Sequence, residues 1–139
     1  MSFQSVLLPV EMVSPEAVGK EMRIALDLIA DDGVIDIMFV DDVSVHHSMA
    51  ASMTYGYEKK FDAHTFLTEI IEHWVPETNR GKTVVRHGVI YDEIVAQARK
   101  SEVDAIIMAS AKPKFRSYFL GSNASKVVRH ASCSVVVVR

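Results

Sequence analysis

Five short apolar runs, set apart by longer segments of helical periodicity, constrain the fold of this chain more than any other feature. Ser5 to Val10, Val34 to Val40, Thr83 to Arg86, Ala105 to Met108 and Ser134 to Val138 are rich in Val and Ile and mostly continuous rather than alternating. A strand with one wet face alternates apolar and polar residues. A continuous run belongs to a strand covered on both faces, the usual state in a parallel sheet.

The intervening segments read as helices. Ser14-Pro15-Glu16 supplies a cap, a proline at the first helical position and an acid in the first turn. Val18, Met22, Ala25, Leu26 and Ile29 then recur at helical spacing, and Gly33 is expected to end the segment. Glu58 to Val75 predicts a second helix with Phe61, Phe66, Leu67, Ile70, Ile71 and Trp74 inward. Tyr91 to Arg99 predicts a third, carrying Ile94, Val95 and Ala98, and Asn123 to His130 a fourth, with Ala124, Val127 and Val128 inward. The order β-α-β-α-β-α-β-α-β, with right-handed crossovers, builds an open parallel α/β sheet covered by helices on both faces.

The 139 residues fit one domain with room for a core, so residues 1–139 are expected to form a single domain. A net charge of −3 gives no electrostatic case for nucleic acid. No apolar run approaches the ~20 residues that span a bilayer and no signal-peptide pattern opens the chain, so a soluble cytoplasmic protein is expected. The single Cys133 has no partner for an internal disulfide, and burial is its expected role. Asp41 to Tyr57, with His46, His47, Met49 and Met53, reads as a long irregular loop, either a flap beside a site or a dimer contact.

Chemistry concentrates at the ends of three strands. The first ends at Pro9-Val10-Glu11, the second at Val40-Asp41-Asp42, and the fourth enters the loop Ala109 to Gly121, which carries Lys112, Lys114 and Arg116 and runs into Ser122-Asn123-Ala124. A helix leaves its first amide N–H groups unpaired and carries partial positive charge there, so an anion finds donors and a favourable field. Gly121 lets a phosphate approach the backbone without a Cβ in the way. Ser122 either adds a hydroxyl to such a site or simply caps the helix. Asp41 and Asp42 are candidates for Mg2+, since hard cations prefer carboxylates, or are solvated loop acids. His46 and His47 with His64 or His73 lack tight metal-ligand spacing. His130 falls in the last turn of a helix, where a cation suits the dipole. No nucleophile has an adjacent base and orienter, which argues against dedicated catalysis.

The segment from Val103 through Gly121-Ser122-Asn123-Ala124 to the terminal Val135–Val138 strand, together with Val6-Leu7-Leu8-Pro9-Val10 and His87-Gly88, resembles the universal stress protein family. The resemblance implies strand order 3-2-1-4-5, with a crevice between strands 1 and 4, and the binding of ATP or a related adenine nucleotide, with Mg2+, as a regulatory ligand. It implies a base contact from the backbone at Val40 and a ribose contact after strand 1, where Glu11 stands in place of the usual aspartate beside Pro9 and Val10. The implied phosphate contacts are Ala109, Ser110, Gly121, Ser122 and Asn123, while Lys112, Lys114 or Arg116 are cations placed to neutralise phosphate where loop glycines are missing. The family's phosphate loop reads Gly-x2-Gly-x9-Gly-(Ser/Thr). Here Ala111 takes the second glycine position and Met108 or Ala109 the first, so a nucleotide-free dimeric interaction module of the same fold stands as the alternative, and a third reading is a slow ATPase, with slow ATP hydrolysis the most turnover expected. The resemblance also implies a homodimer through Val135 to Val138, and an apolar edge strand is physically suited to pairing with another chain.

Overall fold

The computed structural model describes residues 2–11, 18–42, 62–110 and 121–139. Within them β1 (Phe3–Pro9), α1 (Gly19–Leu28), β2 (Ile29–Asp42), α2 (Ala63–Trp74), β3 (Arg80–Gly88), α3 (Ile90–Lys100), β4 (Ala105–Ala109), α4 (Ser122–His130) and β5 (Ser134–Val138) follow one another, with a short 3-10 turn at Glu77–Asn79. All strand pairings are parallel, and the sheet order is β3-β2-β1-β4-β5. The fold expected from the sequence is the fold observed.

Successive strand residues face opposite sides, and each side has its own core. Val6, Leu8, Ile35 and Ile37 pack with Met22 and Ala25 of α1 and with Leu67, Ile70 and Ile71 of α2. Leu7, Met38 and Ile106 pack on the other face with Ile94, Val95 and Ala98 of α3 and with Ala124 and Val127 of α4. The central strands read as unbroken apolar runs because both faces are covered.

Element boundaries depart from the sequence reading in four places. Gly33 does not end α1, because the chain turns extended at Ile29, where φ is −78° and ψ 151°. The β1–β2 register jumps from Phe3↔Ile29 to Ser5↔Val34, so residues 30–33 form an irregularity within β2. A Cβ on Gly33 would lie 2.9 Å from the Phe3 carbonyl oxygen and 3.0 Å from that of Ala30. Gly33 therefore makes room in a crowded strand entry. Second, β3 extends to Arg80 and Gly88, beyond Thr83–Arg86, because its polar ends belong to an edge strand. Third, α4 turns Ala124 and Val127 inward but leaves Val128 47% exposed. Fourth, Cys133 is only half-buried, and that partial burial pushes its thiol pKa up. The helix start at Ser14-Pro15-Glu16, the residue Phe61 and the loop residues 43–57 lie outside the described residues.

Among the described residues no buried side-chain nitrogen or oxygen lacks a hydrogen-bond partner. Asn79 donates its amide to the carbonyls of Asp31 (3.1 Å) and Gly33 (2.7 Å), tying the start of β3 to the irregular entry of β2. Buried Asp36 accepts from the backbone N–H of Lys82 at 2.7 Å, where the β2–β3 register slips between Ile35↔Arg80 and Ile37↔Thr83.

Candidate functional site

In an open parallel sheet the strand order reverses at one place, and connections from the two neighbouring strands leave toward opposite faces there. Here that place lies between β1 and β4. Their ladder pairs Val6 with Ala105 and Leu7 with Ile106 and goes no further. On the outer sides pairing continues: β1 follows β2 to Pro9↔Met38, and β4 follows β5 to Ala109↔Val138. Pro9 has no N–H to offer a neighbour. The carboxyl ends of β1 and β4 are each held by an outer neighbour and separate from one another.

Most residues singled out in the sequence come to this end of the sheet. The Val10 N–H donates to the Met38 carbonyl at 2.8 Å, fixing the chain as it leaves β1, and Glu11 follows exposed. Val40 is buried near the end of β2 with its side chain in the core on the α3–α4 face. Ala109 is exposed at the end of β4, and the Ser110 N–H is held by the Val138 carbonyl at 2.9 Å. The Gly121 N–H donates to the Ser110 carbonyl, so the chain leaves β4 and enters α4 at one point. Lys112 and Arg116 lie outside the described residues.

Gly121 is the N-cap of α4, and Ser122 is its first helical residue, with Asn123 next. The reading in which Ser122 itself caps the helix is corrected: among the described residues no side chain caps α4, and its first turn holds no acid. The other helix starts differ. Glu21 stands in the first turn of α1, Asp62 caps α2 by accepting from the Thr65 N–H at 3.2 Å, and Asp92 and Glu93 open α3. Each of those places a carboxyl at the positive end of the helix, whereas α4 does not. At its far end Arg129 and His130 occupy the last turn, and the His130 ring stacks on Tyr91 with centroids 5.8 Å apart.

Two features of this region escaped the sequence reading. Burial raises the pKa of the Glu21 carboxyl, and the negative charge of Glu11 adds to that shift, which brings a second acid into the electrostatic neighbourhood of the β1 lip. At the end of β2, Asp41 pairs with His87 of β3, Oδ2 to Nδ1 at 3.2 Å, across the register pair Asp41↔His87. A carboxylate and an imidazole forty-six residues apart in sequence give no local signal. Asp41 and Asp42 are therefore strand-end residues rather than loop acids. Among the described residues no three metal-ligating side chains gather, and His46 and His47 lie outside them.

The universal stress protein family matches residues 2–139 of this chain. Universal stress protein G of Shigella flexneri is 31% identical over 141 residues, covering 99% of each protein. The chain belongs to the universal stress protein family. Two solved universal stress proteins share its fold at low identity. One, from Archaeoglobus fulgidus in complex with dAMP, superposes with a TM-score of 0.59 at 18% identity over the full length of both chains. The other, from Arabidopsis thaliana with AMP bound, gives a TM-score of 0.62 at 14% identity, covering 97% of this universal stress protein and 90% of that one. No helix among the described residues is long and apolar enough to cross a membrane.

Proposed function

We propose that this universal stress protein binds an adenine nucleotide, ATP or a related one, as a regulatory ligand in the crevice between the carboxyl ends of β1 and β4. The observation that carries the reading is the start of α4: among the described residues a first turn with no side-chain cap and no acid, opening where the two strands part. Phosphate supplies the missing anion. Gly121 has φ −57°, a value open to any residue, so a glycine here contributes the absence of a Cβ rather than a special conformation. Relatives of the same fold that hold AMP and dAMP support the choice of an adenine nucleotide.

In this reading the backbone at Val40 meets the base. Pro9, Val10 and Glu11 form the ribose lip, and Ala109, Ser110, Gly121, Ser122 and Asn123 meet the phosphates, with Lys112 and Arg116 neutralising charge. Mg2+ accompanies a triphosphate; Asp41, paired with His87, and Asp42 follow Val40 at the base end of this arrangement rather than beside the phosphates. Glu11 reaches one methylene further than an aspartate and still accepts hydroxyl hydrogen bonds. Binding without turnover is the expected activity, since no nucleophile and base pair lines the crevice among the described residues.

Mass spectrometry of ligand released on denaturing the purified protein, followed by calorimetric titration with ATP and AMP, tests the reading. A nucleotide is expected in the released fraction, and Gly121→Val is expected to weaken binding at least roughly tenfold by filling the phosphate approach. An equal weak response in wild type and variant overturns it. That outcome would favour the nucleotide-free interaction module, the reading supported by Ala111 and Ala109 in place of loop glycines.

The same reading includes a homodimer through β5. This strand is one edge of the sheet, and Val135 to Val138 are all half-buried within the monomer. Light scattering of a Val136→Asp variant should report a monomer. An unchanged dimer, or a monomeric wild type, refutes pairing through this strand.

A further inference from the structure

The sheet has a second edge, β3, which differs from β5 in composition and setting. We propose that the outer edge of β3 docks an extended polypeptide segment that alternates acidic and apolar residues, adding it as a further strand.

The first ground is the strand itself. β3 runs nine residues, Arg80 to Gly88, and its ladder to β2 reaches Gly88. Alternate N–H and C=O groups of a paired strand point away from its neighbour, and among the described residues no strand lies beyond β3. The second ground is a cavity of about 420 Å3 along this edge, between α2 and α3. Lys82, Val84 and Val85 of β3 line it, with His64 of α2 on one side and Lys100 and Ser101 at the end of α3 on the other. Val85 packs with the α1–α2 core, whereas Val84 packs with the α3–α4 core on the face that Lys82 shares by strand alternation and that Lys100 of α3 borders, so an added alternating strand meets apolar surface on one face and lysines on the other.

The third ground is charge, and it selects the occupant. β3 carries three long cations, of which two are already engaged. Arg80 donates to the carbonyls of Val75 and Glu72, and Arg86 to Glu93 and to Gln97, the latter at 2.9 Å. Lys82 and Lys100 make no ion pair among the described residues, and the cavity's described lining holds no carboxylate. In a protein of net charge −3 this is a local cationic groove. A lysine on an edge strand repels a second copy of the same edge. The same lysine attracts a strand whose side chains are acidic, and pairing supplies main-chain hydrogen bonds while alternate side chains read the groove.

The test uses amide NMR of the full-length protein and a capped probe peptide of about seven residues alternating glutamate and valine. At roughly millimolar peptide, shift changes and slowed amide exchange should concentrate on Lys82 to Arg86. Lys82→Glu with Lys100→Glu should weaken binding roughly tenfold, with native amide dispersion confirming that the exposed substitutions leave the fold intact. The same peptide N-methylated at alternate residues, and a lysine–valine peptide, should not bind. Equal binding of the N-methylated peptide, shifts confined to residues away from β3, or displacement of the peptide by citrate at equal concentration would each overturn the proposal, the last by showing a small-anion site.

Discussion

Gly81→Ala should destabilise this protein by about 3 kcal/mol, and the reason lies in the register slip between β2 and β3. A Cβ built on Gly81 collides with Asp36 Oδ1 and comes within 2.7 Å of the Ile35 carbonyl oxygen and 2.9 Å of its carbon. The Ile35 atoms are backbone and cannot swing aside. The Asp36 carboxylate can, but only by giving up the Lys82 N–H it accepts at 2.7 Å, and Asp36 is 5% exposed. Leaving that buried acceptor and its part-buried donor unmatched costs about 1–3 kcal/mol, and crowding the backbone costs about 1–3 more. Restricting the unfolded chain returns only about 0.4–1 kcal/mol. The net corresponds to a fall in Tm of roughly 10 °C for a chain of this length. Urea unfolding followed by circular dichroism measures it. Asp36→Ala supplies the control, because removing the carboxylate leaves only the Ile35 contacts to be relieved. The cost of Gly81→Ala should then drop by about 1–2 kcal/mol in the double variant. A single variant within about 0.5 kcal/mol of wild type, or no coupling to Asp36, refutes the reasoning.

Asn79→Ala removes both donors that hold the Asp31 and Gly33 carbonyls and should cost about 1–3 kcal/mol by the same unfolding assay. Glu21→Gln should stabilise the protein at neutral pH, since burial raises the Glu21 carboxyl pKa and its ionisation therefore opposes folding. That advantage should disappear as the pH falls below the unfolded value of about 4.3, where both states are protonated in wild type. Asp62→Ala should lower Tm by removing the cap of α2. Acceptance from the Thr65 hydroxyl first, and its N–H second, holds the Asp62 carboxyl below its usual range. Its contribution is present above the unfolded pKa of about 3.9 and is lost as pH falls through the lower folded one, so thermal scans of variant and wild type should converge only in strong acid.

The central strands were legible because being covered on both faces leaves a compositional trace. Val6-Leu7-Leu8 and Ala105-Ile106-Ile107-Met108 have no polar position, and every one of those residues is buried. Edges and entries were harder. Arg80, Lys82 and His87 break the apolar pattern of β3, since an edge strand satisfies its charged ends with helix carbonyls and neighbouring acids rather than a core. Gly33 carried a helix-stop signal that the crowded entry of β2 explains better. At the candidate site, Gly121-Ser122-Asn123 and Pro9-Val10-Glu11 were visible as strand-end chemistry. The proximity of Glu11 to Glu21, the Asp41–His87 pair and the parting of β1 from β4 arise only when distant segments meet. Strand order itself came from family resemblance, since local patterns cannot say which of five similar runs lie side by side.

That strand order determines how the two edges can differ. β5 pairs with β4 through all five of its residues, and its half-buried valines join both cores, which leaves its outer backbone and the exposed part of those valines for another chain. Four valines offer such a chain neither repulsion nor selectivity, which suits a partner with the same sequence. β3 stands at the opposite edge, with its two arginines tied down and Lys82 left out. A second copy of β3 would set lysine near lysine, and an alternating acidic strand would not. The two edges therefore discriminate by different physics, one by shape and apolar area, the other by sign of charge. Salt should separate them, weakening association at β3 and leaving association at β5 intact or strengthened.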